Sequence, residues 1–199
     1  MDLNNMNRLQ KQLAFIKEID KLKYVFRKTR LFESDRHEND AEHSWHLAMM
    51  AIVLAEHTND DIDILKVLKM LLIHDIVEID AGDTFLFDKN KSHDNTEEEL
   101  AAAKRIFGML PSEQEQELIT LWEEFESAES NEAKFAKAID RLAPILQNVS
   151  NNGGTWAEYD VPYAEVHAKK KRIGEGSATL WQYVETLLDE SVDKGILKK

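Results

Sequence analysis

The sequence predicts an all-α fold, and three observations carry the prediction. Apolar residues recur at intervals of three and four along most of the 199 residues, the pattern of helices with one buried face. Only seven glycines and three prolines interrupt the chain, which leaves room for long helices and argues against an all-β sandwich. No stretch shows the alternation expected of a strand. The length suits one domain with a proper core, expected to span residues 1–199.

The first expected helix covers 5–25, with Leu9, Leu13, Ile16, Ile19 and Leu22 at helical spacing, and ends in the basic knot "RKTR" at 27–30. After a polar loop a second helix is expected over 41–57. "TNDDIDI" supplies capping residues for a third over 62–79, which stops at Gly82. The segment 83–94 reads as a charged loop. Helices are expected near 95–108, 112–127 and 131–149, the second of them opened by Pro111 and Ser112. "SNNGGTW" at 150–156 is the clearest break in the chain, and two further helices follow over 162–173 and 177–193. These C-terminal helices, 156–195, are expected to pack on a core of about 10–150. In the last one, Leu180, Trp181, Tyr183, Val184, Leu187 and Leu188 form a stripe that reads first as intramolecular core.

Composition narrows the function. The net charge of −13 argues against duplex nucleic acid as a partner, although a few local cations can reverse the field inside one pocket. The absence of cysteine excludes disulfides and thiolate metal sites. The N-terminal stretch carries no apolar signal region and no run is long enough to span a bilayer, so a cytoplasmic protein is expected.

Three stretches carry chemistry. In "MLLIHDIVEI" (70–79) the residues His74, Asp75 and Glu78 interrupt an otherwise apolar helix, and a buried carboxylate without a partner is costly. His74 and Glu78 share a face, and a mixed nitrogen and oxygen set suits a divalent cation such as Mn, Fe, Co or Mg. A partly exposed helix end would explain the same residues without any ion. In "AEHSWHLAMMAIVLA" (41–55) His43 and His46 share a face, and either can reach a metal or simply hydrogen-bond near the helix start. In "AKFAKAIDRLAPILQN" (133–148) Asp140 lies on a small-residue edge between Ala136 and Ala143. That edge leaves room for a guest, but it also suits plain helix packing, in which Arg141 would have no role. His37, His57, His93 and His167 sit in polar segments and are expected to be solvated.

The ordered set His43, His74–Asp75 and Asp140 resembles the HD-domain metal-dependent phosphohydrolases. The stretches "RHENDAEHSWHLA" and "LLIHDIVEIDAGDT" look like the 5'-deoxynucleotidase branch of that superfamily. The resemblance is good from about 10 to 150 and weak beyond. It implies a helical HD-domain bundle in which His43, rather than His46, joins His74, Asp75 and Asp140 around one divalent metal (Mn, Co, Fe or Mg, with Zn in a structure). It further implies Glu78 as the catalytic acid/base, Asp83 as the group orienting water or substrate, Arg27 as the phosphate contact, and a homodimer. Such an ion polarises a phosphoryl oxygen and lowers the pKa of a water, and the phosphorus centre needs mainly charge stabilisation. Arg27 can grip phosphate bidentately, with Lys28 and Arg30 adding potential, although cations at a helix C-terminus also complement the helix dipole. Arg36 is expected to hold its loop through acidic neighbours.

One departure stands out: the similar deoxynucleotidases often carry a tryptophan beside the arginine, whereas here the stretch is "FRKTRLF". The expected activity is therefore removal of the 5'-phosphate from (deoxy)nucleoside monophosphates, with the sugar preference open. Hydrolysis of another phosphate ester (a nucleoside triphosphate or cyclic nucleotide) and a non-catalytic helical protein clamped by a metal are the alternatives.

Overall fold

The computed structural model describes residues 6–87 and 96–199. The described chain is helical apart from one small sheet. Helix α1 (Arg8–Ile19) starts on a capping box in which Asn7 and Gln10 bond each other's backbone amides. It does not continue to the basic knot. A 3-10 turn over Asp20–Tyr24 ends it, and "RKTR" lies in strand β1 (Phe26–Arg30), paired antiparallel with β2 (His37–Asn39). This hairpin corrects the purely helical expectation, and it removes the helix-dipole explanation of the basic knot. Charged residues such as Arg27, Lys28 and Glu38 give no apolar alternation. Their pairing depends on what they meet across the fold.

Helix α2 (Asp40–Leu54) opens on a second capping box, Asn39 with Glu42, which fixes His43 on the first turn. Helix α3 (Ile64–Ile73) is capped by Asp63. The expected single helix over 62–79 is broken: a 3-10 turn occupies His74–Val77, and α4 (Glu78–Ala81) follows, closed by Gly82 at φ 75°. The His74 ring offers a cause, because its Nδ1 donates to the Leu71 carbonyl at 2.9 Å. A regular helix would reserve that acceptor for the amide of Asp75, so side chain and backbone compete and the turn tightens.

Helices α5 (Thr96–Phe107), α6 (Ser112–Ser127) and α7 (Asn131–Ser150) fall where the periodicity puts them. The expected solvation of His93 and the expected start of α5 at 95 lie outside the described residues. The break at 150–156 is a tight turn with Gly153 and Gly154 at positive φ, leading into α8 (Gly154–Glu158). The expected helix over 162–173 divides into α9 (Tyr163–Lys170) and α10 (Ile173–Gly176), and α11 (Ala178–Asp193) is capped by Ser177.

Helix α7 is the axis on which the rest converges, with α2, α3, α6, α10 and α11 all against it. The alanine edge read from the sequence, Ala133, Ala136 and Ala143, is fully buried. Gly176 on α10 comes so close that a Cβ there would stand 2.4 Å from the Lys134 carbonyl. The apolar stripe of α11 is core, with Leu180, Val184 and Leu188 buried. No helix of the described residues is long and apolar enough to cross a membrane.

Candidate metal centre and its two chambers

Five separate elements bring their polar side chains to one place. His43 comes from α2, His74 and Asp75 from the 3-10 turn, Asp140 from the middle of α7, Arg27 from β1 and Glu38 from β2. His43 is fully buried; its Nδ1 stands 3.1 Å from Glu38 Oε2 and its Nε2 3.1 Å from Asp140 Oδ1. His74 Nε2 lies 3.0 Å from Asp75 Oδ1 and 3.8 Å from Asp140 Oδ1. The ring of His74 leans on Phe125, centroids 4.8 Å apart. Pro144 sits one helical turn after Asp140, so the amide that would close on the Asp140 carbonyl is missing.

The donor set fits a divalent metal. Both imidazoles have Nδ1 committed, to Glu38 and to the Leu71 carbonyl, and this leaves each Nε2, which faces the same carboxylates, as the nitrogen a metal would take. His74 Nε2 is buried and lacks a hydrogen bond of its own. One ligand atom each from His43, His74 and Asp75 falls within 4.8 Å of the others, and Asp140 Oδ1 adjoins both imidazoles. Without an ion the charges are held by a proton. Burial and Arg27 push His43 down, but the hydrogen bonds to Asp140 and Glu38 and the charge of Asp75 more than reverse this, to about 9. Burial would raise Asp75, yet His74 and Arg27 hold it at about 2.

Beside this group stands a second set of acids, Asp40, Glu78 and Asp83, whose oxygens also approach within 4.8 Å of one another. Burial and the neighbouring Asp75 raise Asp40 to about 7. Burial, Asp75 and Asp40 drive Glu78 well above the usual carboxylate range, and Glu78 Oε2 has no hydrogen-bond partner. Burial also raises Asp83. Arg27 is the counterion of the cluster: its Nη1 lies 3.0 Å from Asp75 and 3.4 Å from Asp40, and its Nε 3.8 Å from Glu38.

Two chambers of about 270 Å³ each meet at Arg27, Asp83, Lys137 and Asp140. The acidic one is lined by six carboxylates, among them Asp75 and Glu78, against Arg27 and Lys137. The basic one is lined by five cations, Arg27, Lys28, Lys137, Arg141 and Lys170, against Asp83 and Asp140, with Phe85 and Trp156 as apolar walls.

The seven residues expected at a site, Arg27, His43, His74, Asp75, Glu78, Asp83 and Asp140, are thus brought together. His46 is not among them and packs its ring against Phe32 instead. Lys28 lines the basic chamber, whereas Arg30 is spent on Asp35 and Glu158. Arg36 makes a two-pronged bond to Glu42, as expected of a loop anchor. Two expected surface histidines are engaged, His37 with the Arg27 carbonyl and His167 between Tyr163 and Trp181. Sequence reasoning missed Glu38 and Asp40, although both stand in the "RHEND" lead-in, and it missed Trp156 and Lys170 in the tail. Trp45 is exposed, and the tryptophans that reach the two chambers are Trp122 in the acidic one and Trp156 in the basic one.

Comparison with known proteins places the chain in a family. The family described as HD domain matches residues 19–181. Proteins named 5'-deoxynucleotidase HDDC2 from Bos taurus and Homo sapiens are each 33% identical over 137 residues, 68% of this chain. Those matches span 65% of the relatives' own length. A solved structure from Magnetospirillum magnetotacticum, described as a predicted metal-dependent phosphohydrolase, is 49% identical. It superposes with a TM-score of 0.92 over 96% of both chains. The PH0347 protein of Pyrococcus horikoshii is 25% identical, with a TM-score of 0.62 over 90% of this chain and 97% of its own.

Proposed function

The chain belongs to the HD domain family, and on that premise we propose that it is a metal-dependent phosphohydrolase removing the 5'-phosphate of (deoxy)nucleoside monophosphates. One observation supports this reading above the others. Two imidazole Nε2 atoms and the carboxylates of Asp75 and Asp140 converge beside Glu78, whose Oε2 is buried without a hydrogen bond. A structural clamp has no use for that acid.

His43, His74, Asp75 and Asp140 would hold one divalent ion, Mn, Co, Fe or Mg. When bound, it supplies charge neutralisation at the phosphoryl oxygens and a water of lowered pKa. The other residues act around that. Glu38 keeps His43 in the tautomer whose Nε2 is free. Arg27 offers a largely enclosed, delocalised cation for phosphate, with its Nε still without a hydrogen bond. Glu78, whose pKa burial and Asp75 raise, is the acid that delivers a proton to the departing 5'-oxygen. Asp83, at the junction of the chambers, orients the attacking water or the sugar. The basic chamber, with Trp156 in its wall, receives the nucleoside.

That residues 1–199 act as one HD domain, in the cytoplasm and as a homodimer, belongs to the same proposal. The exposed Trp45, Ile52 and Val53 of α2 offer apolar surface for a second copy, which sedimentation would test. The deciding experiment is phosphate release from ribo- and deoxyribonucleoside 5'-monophosphates by chelator-stripped protein with each metal added back. Metal-restored release is expected. No release with any of these ions would overturn the reading.

A further inference from the structure

The chemistry above leaves Lys170 and Arg141 unused. Lys170 closes α9 and is only 5% exposed, a rare place for an ammonium group. Among the described residues neither cation forms an ion pair or a hydrogen bond. Burial, partly offset by Asp140 and reinforced by Arg141 and Arg27, pushes Lys170 down to about 8. The carboxylate that both feel is Asp140, and a metal ion would claim its charge. Both cations line the basic chamber and neither lines the acidic one.

That separation has a chemical meaning. A phosphoryl group reacting beside Glu78 and Arg27 sends its leaving alcohol into the basic chamber. A neutral nucleoside has nothing there for two unpaired cations. Resting on the nucleotidase reading, we propose that Lys170 and Arg141 form a second anion subsite for a phosphoryl group carried by the leaving-group side of the substrate. The preferred substrates are then nucleoside bisphosphates cleaved at the 5' position. Water forms the new P–O bond, the bond from phosphorus to O5' breaks, and O5' leaves with a proton. The second phosphoryl group is bound and remains intact.

The test compares kcat/KM for deoxyadenosine 5'-phosphate and deoxyadenosine 3',5'-bisphosphate with Mn. The wild type is expected to prefer the bisphosphate at least about tenfold, the value of one charge-assisted hydrogen bond. Lys170→Gln and Arg141→Gln should each lower that preference about tenfold, and Lys170→Arg should restore it. Independently, adenosine 3'-phosphate should bind the metal-free protein by calorimetry, and Lys170→Gln should abolish the heat. Equal losses for both substrates would place the cations on the reacting phosphate and overturn the proposal, as would a wild type without preference. If neither substrate releases phosphate, the nucleotidase reading fails, and the calorimetry alone decides the subsite: absent binding overturns it.

Discussion

The two chambers share a wall and differ in almost everything else. On one side of Arg27 and Asp140, six carboxylates crowd a space that only two cations enter; on the other, five cations face two carboxylates. A protein of net charge −13 has no difficulty finding acids, so the basic side is the one that needs explanation. The acidic side lacks positive charge and the basic side lacks negative charge. A metal with a phosphate ester supplies both at once, and this division of labour can be attacked from either side.

The heaviest blow falls on the shared wall. Asp140→Asn should lower turnover by about three to four orders of magnitude, because the stabilisation a Lewis-acid ion gives is worth several kcal/mol. It should also weaken Mn binding in a chelator competition. Retained metal affinity with only a raised KM would mean that Asp140 serves the basic chamber alone. Within the acidic chamber, Glu78→Gln should cost roughly 10³-fold in kcat, as loss of a general acid does, with metal affinity kept. Unchanged turnover would remove Glu78 from the chemistry. Glu38→Gln touches neither chamber's lining and should weaken metal binding about 10–100-fold through the orientation of His43.

The smallest effect is the pH dependence of the metal-free protein. His43 at about 9 and Asp40 at about 7 hold protons more tightly folded than unfolded. Their contribution is full below their ordinary values, near 6.5 and 3.8, and is lost as pH rises through the folded ones. Asp75, at about 2, works the other way, but its share is complete above about 4 and disappears only in acid. The Tm of chelated protein should therefore fall between pH 6 and 8, above which Lys170, lowered to about 8, opposes the loss. The gap to Mn-loaded protein should widen over the same range, since metal binding displaces protons. Calorimetric scans at several pH values would show it, and a flat or rising Tm would contradict the assigned proton positions.

The helices were legible because amphipathic periodicity is local: α6, α7 and α11 need only their own residues to be read. His74 and Asp75 were legible because such residues are unusual within an apolar helix, whereas the choice of His43 over His46 and the role of Asp140 came from the family resemblance and not from spacing. Glu38, Asp40 and Lys170 were hidden for the opposite reason. Their burial is set by the tertiary fold: Glu38 and Asp40 meet Arg27 across the hairpin, and Lys170 lines a chamber built largely from distant elements. The β1–β2 hairpin was missed because its charged strands follow Arg27 and its ion pairs rather than an apolar alternation. The 3-10 turn at His74 was missed because its cause, a ring bonding the Leu71 carbonyl, is invisible to periodicity.

The close seat of Gly176 against Lys134 and Phe135 bears on how the chain is made. On a ribosome every carboxylate of the acidic chamber has been polymerised once Asp140 is added, yet α7 gains its cover from α10 only some thirty-five residues later. During that interval Asp140 sits on a helix still missing one packing partner, and Lys170 of the basic chamber has not been joined. The acidic chamber is lined by residues 27–140 alone, whereas the basic chamber is completed by Trp156 and Lys170. The order of synthesis thus supplies every lining residue of the acidic chamber before the basic chamber has its last wall.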